Sequence, residues 1–442
     1  MRRFLFVDFD LNIFDKNLVE TNFQNSLFIN REDLENIINN DKGENIKNDF
    51  SSFYLEEGLL SKIKSILNAG ILRHYSYAKY NIVDLPDILN KINNISYFLN
   101  EKKISEIIFV TIPHEPPEYL LLIAAKILKK ENLSFYQVNG YLPGFVTAHR
   151  NAIFNEKLIY NKKCSEKENI IKLAEEYLER KLDRPYYVPK KSKLTTYKQI
   201  YNLFDSLYVV FSSLRKLSFT KSIQAMGRML SNIKSLHYYK KKFKPNSISE
   251  IKKEFVYLPL QFEPELSSTV IYKNQVITAF EMILLAREKF DKTIQLVCKE
   301  NPSTLLFNRS PDFFKLISNL ENTIYLADGS HDNLIKSCLS VIVGRSTPGY
   351  EGVLIGKPVF GVTQNWYYEN LIENLFSKYK YSLKDIYKIK TYTQETVINT
   401  ISKNIHLLTT TPESIKNIKV FNISENTNCL INIIRIWLNE LE

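Results

Sequence analysis

The sequence predicts an α/β protein built from two doubly wound units. Three observations carry this reading. Residues 255–362 alternate strand-like and helix-like segments without a break. A shorter strand–helix–strand series occupies residues 106–138, and such a unit implies a parallel sheet covered on both faces. No apolar run approaches the roughly 20 residues that a membrane-spanning helix needs. The 442 residues allow two or three domains, and 44% hydrophobic with 13% aromatic content supplies packed cores.

The elements follow in order. Residues 4–7 (Phe-Leu-Phe-Val) read as a buried strand closed by Asp8. That run is too short for a signal-peptide core, so the expected compartment is the cytoplasm. Residues 106–111 form the next strand, 119–130 an apolar helix, and 134–138 a strand stopped by Asn139-Gly140. A first unit is thus expected over 1–195. Between Lys198 and Lys244 stand ten Lys or Arg and one acid, Asp205, with apolar residues near helical spacing. This stretch predicts a basic helical insert over 196–250. Its basic side chains are either solvated or drawn to an anionic membrane surface, as for a peripheral protein on the inner face of the cytoplasmic membrane.

The second unit is expected over 251–425. Strands fall at 255–260, 294–299, 323–326, 339–344 and 358–362, and helices at 276–289, 313–320, from Ser330, and at 349–355. An apolar helix at 430–441 is suited to bridging the two units over 426–442.

Composition excludes several classes. The four cysteines are widely spaced and the six histidines show no zinc-hydrolase spacing, so no metal and no cofactor is expected. The net charge of +11 suits phosphorylated substrates. No nucleic-acid-binding signature accompanies it, so no nucleic-acid partner is expected.

The chemistry concentrates at residues 343–359, where a strand ends at Gly344, a Ser-Thr-Pro turn follows, and a helix starts near Gly349. Free amides and the positive helix end converge there, which suits a phosphate held by Ser346, Thr347 and Gly349. Glu351 in the first turn can accept from a sugar hydroxyl. An ordinary strand-to-helix turn with a Ser or Thr cap accounts for the same residues. The loop after residue 260 carries Glu263 and Glu265 at a strand's carboxyl end, where open α/β sheets bind ligands. His114 and Glu115, with Glu118, occupy the same topological place in the first unit and are candidates to remove an acceptor proton. The alternative there is a helix start with prolines and dipole-complementing acids. Asp8 and Asp10 also end a strand, but the Thr or Ser of a D-x-D phosphatase motif does not follow. Arg73 and His74 are candidates for contact with an anionic acceptor.

The stretch 343–359 resembles the donor-binding motif of GT-B glycosyltransferases: a Ser/Thr-rich turn, Gly-x-Glu, then Gly-Lys-Pro and a strand. Residues 255–268 (FVYLPLQFEPELSS) resemble the opening strand and loop of capsule polysaccharide biosynthesis proteins, a family that includes Kdo transferases. Residues 297–303 resemble their Lys-x-His-Pro segment, and 328–335 the segment before their donor-site strand. The resemblance implies two Rossmann-like units facing a cleft. It implies transfer from a nucleotide sugar to an oligosaccharide or glycolipid acceptor, with Lys299, Asn301, Ser330 and His331 at the donor. The family's His-Pro stands here as Asn301-Pro302, and Asn donates a hydrogen bond but carries no charge. A CMP-sugar is therefore one donor among several. A non-catalytic GT-B-like subunit and a GT-B-fold sugar-nucleotide epimerase stay open beside transfer.

Overall fold

The structure, a computed structural model, describes residues 2–39, 85–111, 113, 116–138, 144–151, 157–161, 168, 170–172, 174–175, 237–238, 243, 246–260, 270–272, 275–301, 309, 311–327, 329–344, 346–362, 368–408 and 422–442. The expected basic insert lies outside them except at His237, Tyr238, Phe243 and residues 246–250.

The first unit begins with β1 (Phe4–Val7), α1 (Lys16–Asn22), β2 (Leu27–Ile29) and α2 (Arg31–Ile38), then α3 (Leu85–Glu101), β3 (Glu106–Phe109), α4 (Pro116–Ile127) and β4 (Glu131–Gln137). The four strands run parallel in the order β2-β1-β3-β4. All four residues of β1 are buried, because the strand is covered on both faces; hence its unbroken apolar run. Leu5 and Val7 pack with α2, α3 and α4, while Phe4 and Phe6 pack on the opposite side. The helix expected from residue 119 begins at Pro116: proline has no amide to satisfy and its fixed φ suits a first turn. Two antiparallel strands, β5 (Phe145–Arg150) and β6 (Lys157–Ile159), continue the sheet beyond β4.

The second unit carries β7 (Phe255–Pro259), the hairpin β8 (Val270–Tyr272) and β9 (Gln275–Ile277), α5 (Ala279–Lys289), β10 (Gln295–Lys299), α6 (Pro311–Asn319) and β11 (Thr323–Leu326). It continues with α7 (His331–Ser337), β12 (Ser340–Val343), α8 (Thr347–Leu354), β13 (Val359–Gly361) and β14 (Glu373–Asn374). The six sheet strands are all parallel in the order β11-β10-β7-β12-β13-β14. Numbered within the unit this is 3-2-1-4-5-6, the doubly wound Rossmann order. The chain reverses direction across the sheet between β7 and β12, and ligands of such sheets bind beyond the carboxyl ends there. Residues 276–277, expected as the start of a helix, pair as β9 instead, and Thr278 with Glu281 forms the capping box that starts α5.

The chain then returns to its beginning. After α9 (Leu383–Tyr387) and α10 (Gln394–Asn404), β15 (His406–Leu407) joins the first sheet antiparallel to β5, and α11 (Ile423–Asn439) packs on the first sheet. Sequence patterning alone puts this return at residue 426; the sheet places it at residue 406. Trp437, fully buried, and Leu430, Ile431, Ile433 and Ile434 cover the face that Phe6 and Ile108 present. Thr427 Oγ1 accepts from Asp15 N at 2.9 Å, fixing α11 beside α1. One apolar core is common to both units: Tyr136, Val138 and Phe145 of the first pack with Tyr257, Val343, Val397 and Ile401.

Candidate functional site

The carboxyl edge of the second sheet gathers the residues expected at a donor. β12 ends at Val343, and Ser346 caps α8 in extended conformation (φ −156°, ψ 152°) without a side-chain capping bond. The Ser346 hydroxyl is buried and has no hydrogen-bond partner among the described residues. A buried hydroxyl left unpaired costs desolvation energy of about 1–3 kcal/mol, so a ligand oxygen is a favourable partner there. Thr347 opens the helix and Pro348 follows in its first turn.

Tyr368 fixes the turn from behind. Its fully buried ring places Oη to donate to Ser346 O at 2.5 Å and to accept from Ser346 N at 3.3 Å. The ring lies so close to Gly349 that a Cβ there would stand 2.4 Å from Tyr368 Oη. The Gly349 amide donates to Ser346 O at 3.1 Å. Gly349 is therefore a contact position for Tyr368, with its N–H already used.

Glu351 is buried on α8, where it hydrogen-bonds His331 Nε2 at the start of α7. His331 Nδ1 lies 2.7 Å from Tyr257 Oη of the central strand β7. Burial, and then the Glu351 carboxylate, raise the Tyr257 hydroxyl well above the ordinary tyrosine range, so it stays a phenol and a donor. The consistent pattern is Tyr257 O–H donating to Nδ1 and Nε2–H donating to Glu351. This arrangement fixes the imidazole and leaves its edge partly exposed, with the side chain 26% accessible. Ser330 caps α7, accepting from Asn333 N at 3.2 Å.

Lys299 ends β10 and is buried, its Nζ donating to Glu300 O at 3.2 Å. Glu300 beside it is structural. Burial works to raise its carboxyl, but Arg309, the Asn301 amide and the Tyr325 hydroxyl outweigh that and hold it below the ordinary range. Arg309 grips it through two bonds of 2.9 Å, and Tyr325 Oη donates at 3.0 Å. Asn301 donates its backbone N–H to Glu300 at 2.9 Å, which sets the loop after β10. Lys357 of the Gly-Lys-Pro segment donates to Cys338 O at 2.8 Å and so closes the end of α7.

The first unit has its own cluster at the matching edge. Asp8 follows β1 in the left-handed region (φ 57°). Arg31 Nη2, at the start of α2, lies 3.7 Å from Asp8 Oδ2 and 3.4 Å from Glu118 Oε1 of α4. Glu118 is buried, whereas the Asp8 side chain is 21% exposed. The three groups follow the neighbouring strands β1, β2 and β3, where the first sheet also reverses direction. Arg31 had no signal in the sequence, because α2 has no local motif besides its cap. His114, Glu115, Glu263, Glu265, Arg73 and His74 lie outside the described residues. Among the described residues no three His, Cys, Asp or Glu side chains converge as metal ligands.

The family model for capsule polysaccharide biosynthesis proteins matches residues 114–372, more than half of the chain. No curated protein sequence matches it. Among solved structures, the chain is similar to KpsC of Thermosulfurimonas dismutans, a beta Kdo 2,7 transferase, at 10% identity and a TM-score of 0.34, over 98% of this chain and 99% of that one. It is also similar to the UDP-GlcNAc 2-epimerase of Methanocaldococcus jannaschii, at 11% identity and a TM-score of 0.21, over 99% and 100% of the two chains. The enzyme of that name from Neisseria meningitidis, bound to UDP-GlcNAc, gives 10% identity and a TM-score of 0.22 over the same shares.

Proposed function

The chain belongs to the capsule polysaccharide biosynthesis protein family, and from that premise we propose that it transfers a sugar from a nucleotide-activated donor to a surface polysaccharide or glycolipid acceptor. The observation that carries the proposal is the pairing of a start of α8 bearing an unused Ser346 hydroxyl, beyond the carboxyl end of β12, with the Tyr257–His331–Glu351 chain that ties β7 to α7 and α8. Ser346, Thr347 and the positive end of α8 bind the donor phosphate. Glu351 and His331 receive a donor hydroxyl, with Ser330 beside them. Lys299 and Asn301 face the departing nucleotide, whose growing negative charge a cation and amide dipoles stabilise.

The acceptor hydroxyl must lose a proton as its oxygen bonds to the sugar carbon and the bond to phosphate breaks. Asp8 suits this step: a partly exposed carboxylate oriented by Arg31, which Glu118 anchors from the buried side. His114, Glu115, Glu263 and Glu265 are further candidates for this proton transfer, and Arg73 and His74 for acceptor binding. The chain would act at the cytoplasmic side of the membrane.

Calorimetric titration with CMP-, UDP- and GDP-sugars tests the donor site. At least one should bind, and Glu351→Ala and Lys299→Ala should each weaken it while the fold, followed by circular dichroism, is unchanged. Undiminished binding in both variants would refute the assignment. Turnover of the donor that needs acceptor marks transfer. Interconversion of free sugar nucleotide without acceptor would instead mark an epimerase, and no turnover under either condition a non-catalytic subunit.

A further inference from the structure

The stretch 376–392 departs from the rest of the described surface. It carries five lysines (Lys378, Lys380, Lys384, Lys388, Lys390) against one acid, Asp385. All five lysines are exposed. Asp385 is engaged by Lys378 at 2.8 Å and by the cap of α9, so it does not neutralise the other four. Two tyrosines project from the same stretch. Tyr379 is 86% exposed and Tyr387 66%, the two highest values among the exposed large hydrophobic side chains of the described residues.

These rings are held outward by a rigid base. Tyr381, two residues after Tyr379, points inward and is fully buried between Phe290 and Phe360. Its backbone ties to α5 through Tyr381 N→Lys289 O at 2.7 Å and Asp291 N→Tyr381 O at 2.9 Å. Its hydroxyl lies 2.7 Å from Ser377 Oγ and donates to Asn374 O of the edge strand β14 at 3.1 Å. Lys289 Nζ lies 5.7 Å from the Tyr379 ring centre and 5.6 Å from that of Phe376, and it pairs with Glu288 at 3.9 Å. Two acids from neighbouring segments meet this stretch: Tyr387 Oη donates to Glu254 at 3.4 Å, and Ser377 Oγ donates to Glu373 of β14.

We propose that this face, beside β14 at the edge of the second sheet, docks on a bilayer surface containing anionic phospholipid. Lysines supply long-range attraction to a negative leaflet. Tyrosine rings, apolar in body and polar at the tip, settle at the level of the headgroups. The occupant is a lipid surface: the exposed lysines match the charge of an anionic leaflet, and the projecting tyrosines match its headgroup layer. The proposal rests on residues other than the stretch 198–244, and it does not depend on the proposed sugar transfer.

Flotation of the full chain with vesicles of phosphatidylcholine, with and without phosphatidylglycerol, tests the proposal. The wild type should float with the anionic vesicles only and be released by salt. Each lysine near such a surface contributes about a fivefold gain in partition, so Lys380→Gln/Lys384→Gln/Lys388→Gln should lose on the order of 100-fold. Tyr379→Ala/Tyr387→Ala should also weaken binding, at an unchanged unfolding midpoint. Arg215→Gln/Lys216→Gln/Lys221→Gln, in the other basic stretch, should bind more tightly than the triple variant of this face. Wild-type-like flotation of the Lys380/Lys384/Lys388 variant would overturn the proposal. So would capture of the wild type by heparin with no binding to either vesicle.

Discussion

Acid should weaken the seam where the last part of the chain rejoins the first sheet, and His406 sets the size of the effect. His406 is buried in β15, and its Nε2–H donates to Ile159 O at 2.9 Å. Burial, reinforced by nearby His149, lowers its proton affinity from 6.5 to about 4 against a smaller upward pull from the Ile159 carbonyl. In the unfolded chain the ring titrates near 6.5. Between these values the unfolded state holds more protons than the folded one, so stability rises with pH. The contribution of the neutral ring is complete above 6.5 and is lost as pH falls toward 4. At about 1.4 kcal/mol per pH unit the loss reaches on the order of 3 kcal/mol. Carboxylates titrate in the same window, so the test is a difference. His406→Gln keeps an N–H for Ile159 and does not ionise. Urea unfolding, read from Trp437 fluorescence in a Trp366→Phe background, should show wild-type stability falling relative to the variant by that amount between neutral pH and about 4. Parallel curves for the two proteins would refute the reasoning.

Three further outcomes are expected. Gly349→Ala puts a methyl 2.4 Å from Tyr368 Oη and should destabilise by about 1–3 kcal/mol in chemical denaturation, with part of the loss recovered by Tyr368→Leu. Arg309→Met strands the buried Glu300 charge and should cost about 3–5 kcal/mol, whereas the double change with Glu300→Leu should cost clearly less; equal costs would show that the pair is not coupled. Asp8→Asn should slow sugar transfer about 100- to 10,000-fold while calorimetry shows undiminished donor binding, and unchanged transfer would remove Asp8 from the reaction.

The strand, turn and helix proposed to hold the donor were legible as local structure because their signal is local. Strand, turn and helix succeed one another within residues 343–359, and each announces itself by a short run: apolar residues, then Ser-Thr-Pro, then Gly-x-Glu. The burial and pairing of β12, α8 and β13 follow that order. Other parts depend on long-range convergence. Arg31 meets Glu118 across 87 residues, and Tyr368 clamps Ser346 from 22 residues downstream. In the sequence both are ordinary side chains. β15 has two residues and β6 three, too few for any periodicity, so the antiparallel extension of the first sheet was not readable. Gly349 is instructive in another way. A glycine at a helix start suggests backbone approach to a ligand, but here the approaching group is the Tyr368 ring.

The return of the chain constrains how the two units can move. The polypeptide passes from the first unit to the second before β7 and back again between α10 and β15. A hinge between them must therefore bend two strands of chain at once. It must also shear a common core, because Tyr136, Val138 and Phe145 pack among Val397, Ile398 and Ile401 of α10. Close-packed interfaces of this kind resist continuous deformation and shift between discrete arrangements. His406 sits one residue beyond Ile405, itself in that core, and hydrogen-bonds to β6. Protonating it would disturb the return strand and the common core together. Any coupling between the proposed donor edge of the second sheet and the Asp8–Arg31–Glu118 edge of the first should thus weaken over the same acid range in which the seam loses stability.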